Sequence, residues 1–197
     1  MLDFLESIDH TIVLAINSLH TPLLDEIMWL ISGKIIWIPM YLFLIYLAYQ
    51  HFGKKNSLYF VLLVITAIAL SDLVSSQIIK KSVERYRPSH NIELAPQLHF
   101  YKQENGEYYQ GGEYGFVSSH AANFFSIALL VGLIFREKAP KLIYTLFTIA
   151  ILVAFSRIYL GVHYLSDILG GAVVGTIISY LLWKFVWMKL FLKQLSK

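Results

Sequence analysis

Cysteine is absent from this 197-residue chain, which excludes disulfides, thiolate metal sites and a cysteine nucleophile together. Charge is scarce as well. Asp, Glu, Lys and Arg make up 15% of the residues against 57% hydrophobic ones, and the mean hydropathy is +0.59. An ordinary soluble domain carries about a quarter of its residues charged, so this composition describes a polytopic membrane protein, and the length allows one domain. The net charge is only +3, with the basic residues at the ends of apolar runs rather than in a tract, which leaves nucleic-acid binding without support. There is no internal repeat and no low-complexity stretch. The first residues do not read as a cleavable signal, because Asp3, Glu6 and Asp9 stand where a signal has a cationic start and an unbroken apolar core.

What the chain does contain is a series of apolar segments. Residues 2–19 set Leu5, Ile8, Ile12 and Ile16 at helical spacing with acids between them, which predicts an amphipathic helix in the membrane interface. Residues 22–33, interrupted by Asp25, Glu26 and Gly33, form either a second interfacial helix or the start of the first span. Residues 1–33 are therefore expected to be an N-terminal interfacial segment and residues 34–197 the membrane domain. Within it, runs at about 35–51, 57–79, 117–135, 142–161 and 165–190 each approach the ~20 residues that cross a bilayer. The expected fold is all-α, a bundle of five to six transmembrane helices plus the interfacial helix. Lys54 and Lys55, then Arg136, Lys138 and Lys141, then the C-terminal lysines fall on one side of a five-span arrangement, which makes that side cytoplasmic. Residues 88–116, rich in Tyr, Phe, Gly and Glu, are then an extracytoplasmic cap. Its aromatics suit either a belt at the water–lipid boundary or a cover over a site.

Three clusters stand at the ends of apolar runs, and at the first of them Lys80, Lys81, Arg85 and Arg87 break the charge asymmetry. Lys80 is followed by Arg87 and Pro88; Ser118, Ser119 and His120 open the third run; Ser156, Arg157, His163 and Asp167 span the junction of the last two. Lys80 and Arg87, two turns apart if the helix continues to Pro88, can neutralise a phosphate dianion, though cations at a membrane boundary are also common as snorkelling charges. The serines lie where a helix start offers free N–H groups to an anion or simply needs an N-cap. His163 and Asp167, four residues apart, share a face if the backbone is helical. A carboxylate on one ring nitrogen would leave a lone pair on the other, as a nucleophile needs. A structural polar pair, or half of a metal site with His90 or His99, is the alternative reading.

The three clusters resemble the three motifs of the type 2 phosphatidic acid phosphatase (PAP2) family. A lysine, six residues, then Arg-Pro is matched in full by Lys80, Arg87 and Pro88; Ser-Arg, five residues, His, three residues, Asp is matched in full by Ser156, Arg157, His163 and Asp167. Of Pro-Ser-Gly-His, Ser118 and His120 match, while Val117 and Ser119 replace the Pro and the Gly. The resemblance implies a lipid phosphatase with His163 as nucleophile, Asp167 orienting it and His120 as acid and base. Lys80, Arg87, Ser118, Ser119 and Arg157 would bind the phosphate. It implies no metal or other cofactor, and a lipid phosphate partner such as undecaprenyl diphosphate, phosphatidylglycerol phosphate, phosphatidic acid or lipid A. The active site would face the exterior of a bacterial inner membrane. A lipid-to-lipid phosphotransferase and a non-catalytic binder of anionic lipids are the competing classes. Asp72, inside the second span beside Ser71, Ser75 and Ser76, either packs in the bundle or lines a headgroup channel. Gly171 and Gly175 predict close helix packing, within the chain or in a dimer.

Overall fold

The computed structural model describes residues 2–190. The helices are α1 (Leu2–Asn17), α2 (Pro22–Ser32), α3 (Ile38–Asp72), α4 (Lys80–Val83), α5 (Ser119–Ile134), α6 (Leu142–Tyr159) and α7 (Leu165–Leu182). A π-helical stretch, Leu73–Ile79, joins α3 to α4, and another, Trp183–Trp187, extends α7. Among the described residues, three stretches are long and apolar enough to cross a membrane: Ile35–Val83, Leu142–Tyr159 and Leu165–Leu190. The first is two antiparallel runs in one. Gly53 breaks it with φ 72 and ψ 173, a conformation open to glycine and costly for other residues, so the sequence's first two runs become the arms of a hairpin. The ends of other helices follow local chemistry: Thr21 caps α2 ahead of Pro22, and Ser118 caps α5.

Helix α5 is central and packs against α7, α6 and α3. Its closest approach is to α7, where glycines replace side chains. A Cβ on Gly171 would stand 2.4 Å from the Ser118 carbonyl oxygen, and one on Gly175 2.0 Å from that of Ala122. The glycine pair therefore serves packing inside the chain. Around α5 the buried core includes Leu44, Phe60, Leu63, Ile127, Phe135 and Leu146. The outward faces carry exposed Leu62, Ile65, Ile151, Leu169, Val173 and Ile177, the pattern of a bundle whose solvent is lipid. Phe52 meets Phe135 with ring centroids 5.1 Å apart, so the Gly53 turn and the turn before α6 lie at one end. The cap and the α6–α7 loop lie at the other.

The first helix inverts the usual arrangement. Leu5 and Ile8 are exposed, and the buried line is Asp9, Val13 and Asn17: Val13 packs into an apolar cluster with Leu94, Leu98, Ile158 and Ile168, while Asp9 and Asn17 on either side of it meet hydrogen-bonding groups. Asn17 Nδ2 donates to the carbonyls of Tyr159 at 2.7 Å and His99 at 2.8 Å. Asp25 on α2 accepts from Tyr159 Oη at 2.7 Å. These bonds fasten the N-terminal helices and the cap to the end of α6.

Candidate active site

At the end opposite Gly53, four separate segments converge. The first leaves α4. The helix does not continue to Pro88: α4 stops at Val83, Glu84 takes a left-handed φ of 50, and the chain runs on through Tyr86, which bridges to Tyr114 of the cap. Arg87 is thereby buried. Its backbone N–H donates to the Glu113 carbonyl at 3.0 Å, its Nε to the Tyr114 carbonyl at 3.0 Å and its Nη1 to the Val162 carbonyl at 3.2 Å. Two glycines let the cap close on it. A Cβ on Gly111 would lie 2.9 Å from Arg87 Nη1, and one on Gly115 2.8 Å from Asp167 Oδ2.

The second segment is the loop between α6 and α7. His163 is not on a helical face with Asp167. It sits before the helix, and Asp167 reaches back as the third residue of a capping box, accepting the Tyr164 N–H at 3.0 Å. The same Oδ2 lies 3.1 Å from His163 Nδ1. With Asp167 accepting there, the ring lone pair falls on Nε2, which Arg87 Nη1 meets at 3.2 Å. Burial, and after it the charges of Arg87, Arg157 and Lys80, hold the His163 imidazole well below the usual histidine range. It is a neutral base in a cationic surround.

The third group supplies those cations. Arg157 is buried; its Nη1 donates to Ser32 Oγ on α2, its Nη2 donates to Tyr109 Oη on the cap at 2.7 Å, and its Nε has no partner among the described residues. Burial and then Arg157 push the Arg87 guanidinium down to about 10, still cationic near neutral pH. Lys80 lies within electrostatic reach of Arg87, Arg157, Asp167 and Asp72. Like charges gathered around one point are unfavourable until an anion sits between them, which marks this point as an anion seat.

The fourth segment opens α5. Ser118 is fully buried; its Oγ accepts from the Ala121 N–H at 3.5 Å and its own N–H donates to the Asp167 carbonyl at 2.9 Å. Ser119 Oγ accepts from Ser75 Oγ at 3.0 Å, so that side chain is turned to the π-helical stretch. His120 makes no hydrogen bond among the described residues and lines two adjoining cavities of about 390 and 580 Å³. A larger cavity, about 990 Å³, lies elsewhere, between α1 and the cap; Glu6, Glu93 and Glu113 line it, a poor environment for a phosphate. Among the described residues no three His, Asp or Glu side chains gather as metal ligands. His99 instead meets Asp25 at 2.8 Å and His90 meets Ser89 at 3.1 Å.

The PAP2 superfamily model matches residues 58–191. The chain belongs to this superfamily. It is 33% identical over 183 residues to a lipid A 4'-phosphatase of Porphyromonas gingivalis, covering 93% of this chain and 75% of that protein. With a lipid A 4'-phosphatase of Bacteroides thetaiotaomicron it shares 33% over 175 residues, 89% of this chain and 75% of that one. Two solved PAP2-type structures share the fold. One is the phosphatidylglycerolphosphate phosphatase of Bacillus subtilis, with TM-score 0.65, 24% identity and coverage of 91% and 85%. The other is Aquifex aeolicus LpxE, with TM-score 0.61, 23% identity and coverage of 87% and 92%. The homologues are membrane PAP2 lipid phosphatases.

Within this PAP2 protein, the valine in place of the motif proline has a packing partner. Val117 is buried, and a Cβ on Gly170 would stand 2.6 Å from its Cγ1. Sequence reasoning missed a whole layer behind Asp167. Arg85 Nη1 lies 3.3 Å from Asp167 Oδ1 and 2.6 Å from Ser166 Oγ, and its Nη2 lies 2.9 Å from Asp9 Oδ2. Its guanidinium also stacks over the Tyr164 ring at 4.1 Å. Asp9 in turn accepts from the Ser166 N–H at 2.9 Å and from the Ser166 hydroxyl. The available signal was the pair Arg85 and Arg87 on alternate residues before Pro88. Tyr109 and Ser32, which hold Arg157, gave no signal of their own.

Proposed function

We propose that the protein hydrolyses the terminal phosphate of a membrane lipid through a phosphohistidine at His163. The observation that carries this reading is the two-sided hold on that ring: a carboxylate 3.1 Å from Nδ1, and Nε2 turned to the guanidinium of Arg87. In the first step Nε2 attacks phosphorus, the P–N bond forms and the bond to the lipid oxygen breaks. His120 gives its proton to that leaving oxygen. In the second step His120 takes a proton from water, whose oxygen attacks phosphorus; the P–N bond breaks and its electron pair returns to Nε2. Lys80, Arg87 and Arg157 neutralise the non-bridging oxygens as charge builds at the five-coordinate phosphorus. The first N–H groups of α5, capped by Ser118, add the positive end of a helix.

The active site would face the exterior of a bacterial inner membrane. The Gly53 turn and the turn before α6 carry Lys54, Lys55, Arg136, Lys138 and Lys141 at one end of the bundle, which the positive-inside rule assigns to the cytoplasm. Among lipid phosphates, the two lipid A 4'-phosphatase relatives favour a phosphorylated, acylated sugar. The test is phosphate release by detergent-purified protein in EDTA from lipid A, phosphatidylglycerol phosphate, phosphatidic acid and undecaprenyl diphosphate, with His163→Ala alongside. Release that survives the chelator and disappears in the variant supports the mechanism. Equal release from the variant would overturn it, and phosphate arriving on a second lipid instead of in water would make the protein a phosphotransferase.

A further inference from the structure

The two cavities at His120, both largely apolar, lead to different groups. The smaller leads to Arg157 and Tyr109, on the phosphate side. The larger runs between α3 and α5, with Ile65, Ile68, Phe124 and Ile127 among its walls. Ser32, Gly33, Lys34 and His120 line both. A lipid with its phosphate among the cations and its ester oxygen at His120 can continue into the larger cavity, which reaches Asp72 and Asn123. Its apolar walls suit acyl chains. Asp72 and Asn123, which line it together with the polar Tyr41 and Ser119, do not.

Asp72 ends α3, immediately before the π-helical stretch, and among the described residues its carboxylate receives only a long hydrogen bond, from Ser76 at 3.4 Å. Asn123 lies three residues beyond His120 on α5, one turn deeper on the adjoining face, and its Oδ1 is buried with no hydrogen-bond partner among the described residues. Neither group has work to do on phosphorus. An ionised carboxylate only accepts hydrogen bonds, as does an amide oxygen. Set beside a seat for a phosphate dianion, such a carboxylate opposes any ligand that offers it no donor. A buried acceptor left unmet is unfavourable in the same way.

We propose that Asp72 and Asn123 form a headgroup subsite that accepts hydrogen bonds from hydroxyl or amide N–H groups flanking the scissile phosphate ester. The subsite, which rests on the phosphatase reading above, selects lipids built on a sugar or on a glycerol with a free hydroxyl. It disfavours diacylglycerol phosphate and polyprenyl phosphates, which carry no donor beside the ester. A site built to bond such groups rejects analogues lacking them far more strongly than an apolar pocket rejects a change of size.

The test is the ratio of kcat/KM for lipid A to that for dioleoyl phosphatidic acid in mixed micelles, for wild type, Asp72→Ala and Asn123→Leu. The wild-type ratio is expected to exceed about tenfold, and each substitution to lower it by about tenfold or more. Asn123→Leu keeps the side-chain volume while removing the acceptor, so its ratio stands by itself if Asp72→Ala does not fold. A ratio that stays fixed while both rates fall together would mean that Asp72 serves the phosphate seat through Lys80, and the subsite is overturned. Hydrolysis of both lipids by wild type without preference overturns the subsite and leaves the phosphatase reading standing. Hydrolysis of neither overturns both.

Discussion

The two histidines at this site are held in opposite ways. His163 is buried at 1% exposure, bonded at both ring nitrogens, and backed by Asp167, Arg85 and Asp9 in succession. His120 has no hydrogen bond among the described residues and stands between two cavities. The difference matches what the two proposed roles demand. A nucleophile gains from fixed orientation, because each degree of freedom removed beforehand lowers the barrier. An acid that must serve a leaving lipid oxygen and then an incoming water gains from a ring free of competing bonds. The comparison can be broken at either end.

The largest expected effect is at the fixed ring. His163→Ala is expected to lower kcat by about 10⁴-fold or more, since without a nucleophile only binding and charge stabilisation remain. Rapid acid quenching with a ³²P-labelled lipid would check it directly: wild type should carry acid-labile label and the variant none. His120→Ala should cost less, about 10²- to 10⁴-fold on a lipid substrate. It should cost much less on p-nitrophenyl phosphate, whose leaving group departs without a proton. Equal losses on both substrates would take the leaving-group role away from His120.

The pH profile of kcat/KM sharpens the same contrast. His163 must be neutral to attack. Burial and three nearby cations depress its pKa, so protonation, and with it loss of rate, is expected only below the ordinary histidine value of about 6.5. The acid limb should therefore lie below that value. An acid limb at or above 6.5 would mean that the cations around the ring are not felt by the nucleophile.

Next in size is the layer behind Asp167. Arg85→Ala removes the cation shared by Asp9 and Asp167, and is expected to lower kcat about tenfold with little change in KM. Leaving Asp9 unpaired in its buried position should also cost about 3 kcal/mol of stability. Arg85→Lys should recover part of the rate, because charge returns without the bridging fork. A fall in stability with kcat unchanged would make Arg85 structural only.

This layer also marks where reading the chain as a sequence ended. The motif clusters were legible because their chemistry is carried by residue type and spacing: Lys80, Arg87, Arg157, His163 and Asp167 do converge. The apolar runs were legible as helices because lipid demands long ones. What could not be read depends on contacts between segments far apart in the chain. Asp9 looked like an interfacial acid on an amphipathic helix; it is buried because Ser166 and Arg85 happen to face α1. The four-residue spacing of His163 and Asp167 suggested a helical face, whereas a capping box brings them together. The left-handed turn at Glu84 has no sequence signal, since glycine or asparagine would be expected there.

The smallest effect concerns Ser119, which replaces the motif glycine. A side chain at that position could narrow the phosphate seat or add a donor to it. Its Oγ is instead engaged by Ser75 at 3.0 Å, on the π-helical stretch that carries Asp72 at one end and Lys80 at the other. Ser119→Gly is therefore expected to change kcat/KM by less than about threefold. It should lower stability by about 1 kcal/mol, the size of one lost neutral hydrogen bond together with a glycine in the first turn. Ser75→Ala should match it in stability, and the double variant should cost less than the sum of the two. A rate increase of tenfold or more in Ser119→Gly would mean that the hydroxymethyl group swings into the seat when phosphate binds. The hold on the start of α5 would then be as loose as the hold on His120, and the contrast between the two sides of the site would deepen.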